Sequence, residues 1–389
     1  MVKKLVSIII PVYNGSNYVA EAVESALNQT YENVEVIVVN DGSDDNGKTR
    51  EVLKQYDNRI IYIEKDNGGV ASALNEGIRN MSGDYFAWLS HDDIFEKTKI
   101  EKQMNAINAC GDKMRISVMN YVFFDDKTKQ EVATDFQNYY PIDIIENSIF
   151  LLLWGELHFS SLLFSKKHFD RVGLFNEQLK TAQDNEFLFR LLRNQRISFI
   201  NDVGSYVRLH ENAGTSQYRS VVQAENKKFY EWVSNMLTVE ELKSIGGLEK
   251  RTKDKINGII QSLGPYKESN VSNKEICELN LVICGAGVYG RRLNFELYSN
   301  NLRPYCFIDN DRMKNGMTID GTRCMAMNKC SLPKDSIVII SNKFYEPLLK
   351  ILNENGIKRI MKKIDIDAMI LKYSDEDLKE MIKRKMDNV

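Results

Sequence analysis

The sequence has almost no net charge, no paired-cysteine motif and no long apolar run, and each absence removes a class of protein. Its 52 basic and 54 acidic residues leave a formal charge of −2, so no bulk positive field draws in nucleic acid. The six cysteines, Cys110, Cys277, Cys284, Cys306, Cys324 and Cys330, are scattered without C-x-x-C spacing. That excludes a zinc site or a disulfide framework and reads as the reduced thiols of a cytosolic chain. No window approaches the ~20 apolar residues that cross a bilayer. The stretch Met1–Pro11 imitates a signal peptide only superficially: its apolar run is short, Pro11 interrupts it, and no small-residue cleavage site follows. Solenoid repeats and low-complexity tracts are also missing. The expectation is a cytoplasmic protein, or one lying peripherally on the inner face of a membrane.

What is present suits an ordinary globular protein, with 43% hydrophobic and 27% charged residues in a chain of 389, long enough for two domains. Apolar β-branched runs at Leu5–Ile10 and Val34–Val39 read as strands buried on both faces. Strands at Ile60–Ile63 and Tyr85–Leu89 follow, with helices at Tyr18–Leu27, Lys48–Tyr56 and Val70–Arg79 between them. Such alternation predicts a parallel, doubly wound sheet. Polar residues terminate its first, second and fourth strands: Pro11-Val12-Tyr13-Asn14, Asn40-Asp41-Gly42-Ser43 and Ser90-His91-Asp92-Asp93. Ligands of open α/β sheets bind beyond the carboxyl ends of strands, and paired carboxylates there suit a hard divalent cation such as Mg²⁺ or Mn²⁺. Taken alone, Asp92-Asp93 reads equally well as a surface turn; the convergence of the strand ends favours a site.

With the Asn67-Gly68-Gly69 turn, Asn75 and Gly83-Asp84-Tyr85 added, residues 5–93 resemble the nucleotide-binding half of family 2 inverting glycosyltransferases of the GT-A fold. The resemblance implies an α/β, doubly wound mixed sheet and a metal-dependent transfer of a sugar from a nucleotide-diphosphate donor, such as a UDP-sugar, to an acceptor hydroxyl in cell-surface polysaccharide or glycan synthesis. Pro11, Tyr13, Asn14, Asp41, Asn67 and Asp92 would bind the donor. Asp41 can accept from a base N–H or ribose hydroxyl, and Tyr13 can offer a stacking face. Asp92, Asp93 and His210 would hold Mn²⁺ or Mg²⁺, with Arg208 offsetting phosphate charge. Where the family has Asp-x-Asp-Asp, this chain has Ser90 in the first place, and His91 is left outside the site. The segment Thr181-Ala182-Gln183-Asp184 resembles the point where the family carries Glu-Asp. Asp184 is therefore the expected catalytic base, and Gln183 replaces its acidic neighbour. Trp154 and His158 fall where acceptor-facing loops are expected; Trp154 is either a sugar platform or a core residue. The acceptor would be a glycan or lipid-linked glycan.

A second site is suggested near the other end. Strand Leu279–Cys284 leads into Gly285-Ala286-Gly287-Val288-Tyr289-Gly290 and a helix, and Asp309 ends the next strand near the spacing of a ribose-binding acid. A Rossmann-like domain with Gly285, Gly287, Gly290 and Asp309 could hold a nucleotide, or could serve as scaffold or oligomer contact. The expected division is a GT-A domain over 1–240, a helical segment and linker over 241–276, a Rossmann-like domain over 277–372, and a basic helix over 373–389 that could touch anionic lipid. Two rival functions remain: an NAD-dependent oxidoreductase or epimerase centred on Gly285–Gly290, and a non-catalytic nucleotide-sugar sensor. Retention of Asp92 and Asp184 argues against the latter.

Overall fold

The chain alternates strand and helix because its apolar runs are short, β-branched and bounded by Gly, Asn and Asp. In the computed structural model the described residues are 3–147, 149–154, 157–211, 213, 217–267, 279–327, 332–343 and 345–387. They form two compact units, Met1–Glu225 and Asn226–Val389, divided within the helix Arg219–Met236.

The first unit opens with β1 (Val6–Val12), α1 (Val19–Leu27), β2 (Val34–Asp41), α2 (Lys48–Lys54), β3 (Ile61–Lys65), α3 (Val70–Asn80) and β4 (Tyr85–Trp88). After β5 (Ile94–Phe95) come α4 (Lys99–Cys110), β6 (Ile116–Asp125), β7 (Glu131–Ala133), and the short helices α5 (Phe136–Tyr139), α6 (Ile142–Ile145) and α7 (Phe150–Trp154). The unit continues with β8 (Leu162–Ser165), α8 (Lys167–Val172), α9 (Gln183–Leu192) and β9 (Ile197–Leu209). The sheet runs β3-β2-β1-β4-β8-β6-β9-β5, with β7 paired to β6. Strands β1 to β4 are mutually parallel, while β8 is antiparallel to both β4 and β6, which makes the sheet mixed.

Both faces of β1 are covered, which is why Val6, Ile8, Ile9 and Ile10 are fully buried and the strand lacks an alternating pattern. On one side Val19, Val23 and Ala26 of α1 meet Ile100, Met104 and Ile107 of α4. On the other, Gly77 of α3 sits so close to the sheet that a Cβ there would lie 2.5 Å from Ile9. Parallel register sets Val12 beside Asn40 and Asp41 beside Lys65, so the ends of β1, β2 and β3 form one edge.

In the second unit, β10 (Leu281–Cys284), β11 (Cys306–Asp309), β12 (Thr318–Ile319), β13 (Thr322–Ala326), β14 (Ile337–Ile340) and β15 (Ile360–Lys362) form a sheet in the order β12-β13-β11-β10-β14-β15. All its pairings are parallel except β12 with β13. Helix Glu249–Leu263, expected in the linker segment, packs within this unit on helix Val288–Ser299, its Gly258 facing Phe295. Residues 268–278, which include the end of that linker and Cys277, lie outside the described residues, as does Cys330. Cys284, Cys306 and Cys324 are free and buried, and Cys110 is free and exposed.

Candidate active site

The edge beyond β1, β2 and β4 collects most of the sequence-predicted residues. Pro11 closes β1, and the chain then turns through Asn14, whose φ of 51° is in the left-handed region that Asn tolerates. Asp44, in the loop after β2, braces this turn. Its Oδ1 accepts from Asn14 Nδ2 at 2.6 Å and from Tyr13 Oη at 3.1 Å, and its backbone N–H donates to Asn14 Oδ1. These hydrogen bonds lower the Asp44 carboxyl below its ordinary value. The Tyr13 ring is left 43% exposed, a face open to stacking.

Asp41 is buried and already engaged. Its Oδ1 accepts from Lys65 Nζ at 2.9 Å and Gly68 N at 3.0 Å, and its Oδ2 from Gly69 N at 2.7 Å. The carboxylate thus shapes the Asn67-Gly68-Gly69 turn, and any contact with a nucleoside would use its remaining lone pairs. Gly42, with φ of 68°, makes that approach feasible: a Cβ there would lie 2.6 Å from Asn67 N. Asn67 itself is exposed at the turn.

At the end of β4 the two adjacent acids diverge. Asp92 Oδ2 meets His210 Nε2 at 2.9 Å. Burial would raise Asp92, but the His210 hydrogen bond and the neighbouring imidazoles of His91 and His210 outweigh it, so its carboxyl lies below the ordinary aspartate value. Asp93 is buried and turned to the backbone, its Oδ1 accepting from Arg208 N at 3.0 Å. Burial first, then the neighbouring Asp92 charge, push its carboxyl well above the usual range. Asp93 therefore serves as a backbone staple between the β4 end and β9.

Arg208 is likewise a structural residue. It lies between the rings of Tyr18 and Phe124 at 4.4 and 4.6 Å, and donates to Glu21, Asp126 and the Asp92 carbonyl. Those bonds occupy the guanidinium, which is not free to offset phosphate.

Among the described residues no three His, Cys, Asp or Glu side chains cluster as metal ligands. Asp92 with His210 nevertheless fits a divalent cation that takes its other positions from diphosphate and water oxygens. His210 Nδ1 is buried without a hydrogen-bond partner among the described residues, and the Asp92 carboxylate at Nε2 favours the tautomer with its proton there.

Asp184 is the second residue of α9, and its Oδ1 accepts from Asn185 N at 2.7 Å. No cation among the described residues pairs with it, and burial raises its carboxyl to about 6. A base needs that combination near neutral pH: deprotonated, yet basic enough to take a proton. Gln183 beside it is 6% exposed, and its Oε1 has no partner among the described residues. The loop leading to α9 is held at two points. Asn75, buried in α3, exchanges hydrogen bonds of 3.0 Å with both backbone groups of Phe175 and donates to Glu177. Arg190 pairs with Glu186 and donates to the carbonyls of Val172 and Leu174.

Trp154 is 6% exposed, its ring stacked 5.2 Å from Phe150. It is a core residue, and that face is closed to a sugar. His158 caps a single helical turn through Ser160, whose Oγ lies 2.8 Å from its Nδ1. Gly155, Glu156, Asn212 and 214–216, which complete the acceptor loop and closing segment read from sequence, lie outside the described residues.

In the second unit Gly285, Gly287 and Gly290 form the strand-to-helix turn, and Gly290 is required there because a Cβ would fall 1.8 Å from Gly285 O. Asp309 points into this loop: its Oδ2 accepts from Ala286 N at 2.7 Å and from Lys314 Nζ at 3.0 Å. The acid expected to hold a ribose is thus committed to the loop and its lysine.

Comparison with known proteins shows the family of the chain. The family described as Glycosyl transferase family 2 matches residues 7–173. An uncharacterized glycosyltransferase of Rickettsia felis is 46% identical over 213 residues, 55% of this chain and 35% of that protein. One of Rickettsia typhi is 40% identical over 243 residues, 62% of this chain and 76% of that protein. The chain belongs to glycosyltransferase family 2. It spans only about a third to less than half of the first relatives it matches, 35% and 44% of their lengths. Among solved structures, Staphylococcus aureus TarS 1-349 in complex with UDP-GlcNAc aligns with a TM-score of 0.51 at 18% identity, covering 67% of this chain and 82% of that one. The likeness is one of fold, the GT-A glycosyltransferase fold, with a second sheet domain following it. No helix among the described residues is long and apolar enough to cross a membrane.

Proposed function

We propose that the protein transfers a sugar from a nucleotide-diphosphate donor to an acceptor hydroxyl with inversion at the anomeric carbon. The observation that carries this reading is Asp184: a carboxylate without a cationic partner among the described residues, in the first turn of α9, raised by burial to about 6. In the proposed reaction the acceptor oxygen attacks the anomeric carbon from the face opposite the diphosphate and Asp184 takes its proton. The bond to the diphosphate oxygen breaks with its electron pair leaving on that oxygen. No covalent enzyme intermediate is needed. Glu186, the nearest alternative acid on α9, is bound by Arg190 and less suited to the task.

Tyr13 would stack on the base, and Asp41 would order the turn that borders the nucleoside. Asp92 and His210 would hold Mg²⁺ or Mn²⁺, which when bound offsets negative charge on the diphosphate. A UDP-sugar is the proposed donor, as in the complex named for the S. aureus protein, and a glycan hydroxyl the proposed acceptor.

The test is a donor screen with the full chain and Mn²⁺, scoring transfer and donor hydrolysis for the wild type and Asp184→Asn. Turnover that the substitution abolishes supports the reading. Donor binding without turnover by the wild type would make the protein a sensor instead.

A further inference from the structure

Asp184 owes its place to a residue on another element. Ala182, the N-cap of α9, has no side chain able to cap the helix, and no local cap bond is made. The residues that lead into the helix are held instead by Glu225 on the helix Arg219–Met236. Its Oε1 accepts from Lys180 N at 3.1 Å. Its Oε2 accepts from Thr181 N at 2.8 Å, Thr181 Oγ1 at 2.8 Å and Ala182 N at 3.1 Å. One carboxylate thus gathers three consecutive backbone N–H groups and a hydroxyl immediately before Gln183-Asp184. Bonds from ionised carboxylates are among the stronger ones in proteins. Burial opposes the charge on Glu225, but these bonds outweigh it and hold its carboxyl below the ordinary glutamate value.

Upstream, the same loop is pinned by Asn75 at Phe175 and by Arg190 at Val172 and Leu174. The Glu225 contact holds the residues immediately before Gln183-Asp184. We propose that Glu225 is a positioning residue for the transfer reaction, fixing Asp184 through the N-terminus of α9. The inference rests on the reading of Asp184 as the base. It also ties that base to the helix on which the chain passes into its second unit. The family match ends at residue 173, before Asp184 and Glu225.

The experiment uses the full chain with Glu225→Gln, Thr181→Val and Asp184→Asn, measuring kcat, donor KM, the pH profile of kcat and thermal melting. Glu225→Gln keeps the shape and removes the charge that holds three N–H groups. Its kcat should fall roughly ten- to a hundredfold, the scale of a misplaced reacting group, with donor KM nearly unchanged. The acid limb of its pH profile should move below 6 as a loosened Asp184 becomes better hydrated. Thr181→Val, which removes one of the four bonds, should fall between this variant and the wild type. A folded Glu225→Gln with wild-type kcat and acid limb overturns the proposal; if that variant melts too low to assay, the same result for Thr181→Val overturns it. Wild-type transfer by Asp184→Asn would instead overturn the reading of the base itself.

Discussion

His210 at the end of β9 places its Nε2 2.9 Å from Asp92 Oδ2 at the end of β4, joining positions 118 residues apart. A cation shared by these two would be lost with either. We predict that Asp92→Ala and His210→Ala each abolish the Mn²⁺-stimulated binding of a nucleotide diphosphate, measured by calorimetry, while melting near the wild-type temperature. Undiminished metal stimulation in both variants would place the cation elsewhere.

Asp184→Asn separates base from cap. Asn and Asp cap helices about equally, so a purely structural Asp184 would tolerate the change. As the base its loss should cost about two to four powers of ten in transfer, with donor affinity almost unaltered. In the wild type, transfer should rise as pH increases through about 6, where Asp184 loses its proton. The signs for stability and activity are opposite. A carboxyl raised from 3.8 to about 6 by burial destabilises the fold as it ionises. Asp184→Asn should therefore melt higher than the wild type at pH 8 and lose that advantage below pH 4.

Beside the base, Gln183 offers a buried amide oxygen with no partner among the described residues. Gln183→Glu would set a second acid next to Asp184 and raise the pH at which the base loses its proton. The acid limb of the transfer profile should shift upward; an unmoved limb would mean the two side chains do not sense each other.

Lys99 is fully buried with no carboxylate partner among the described residues; it donates to Gln103 Oε1 and the Leu162 carbonyl, and its Nζ lies 4.4 Å from the Phe95 ring centre. Burial lowers its pKa to about 7. In the unfolded chain it stays protonated up to about 10.4, so protonation disfavours the fold increasingly as pH drops from that value toward 7. Relative to the wild type, Lys99→Met should gain melting temperature as pH is lowered from 10 to 6. A constant difference across that range would show that the lysine does not titrate in the fold.

Strand ends are more legible in sequence than what their side chains touch. The runs Leu5–Ile10 and Val34–Val39 could only be strands buried on two faces, and the polar residues after them had to share an edge. Asp92 and Asp93 looked alike because adjacency in sequence says nothing of direction; one faces His210 and the other the Arg208 backbone. Arg208 read as a phosphate ligand because its partners Glu21, Asp126 and Tyr18 come from distant segments. Trp154 was open between platform and core, and the Phe150 ring four positions earlier decides it. Asn75 and Glu225 carried no readable role: each is one polar residue in a helix, and its partners lie in a loop specified elsewhere. The one local hint was Ala182, a residue unable to cap the helix it begins.

The staple between Asn75 and Phe175 spans 100 positions, and that between Asp93 and Arg208 spans 115. During synthesis at about 5–20 residues per second, β1 to β4 emerge and can pair many seconds before their fastening residues exist. The nascent donor edge must wait with its loops unfastened, and ligand capture by an emerging chain is delayed until β9 and the residue at 225 have cleared the ribosome.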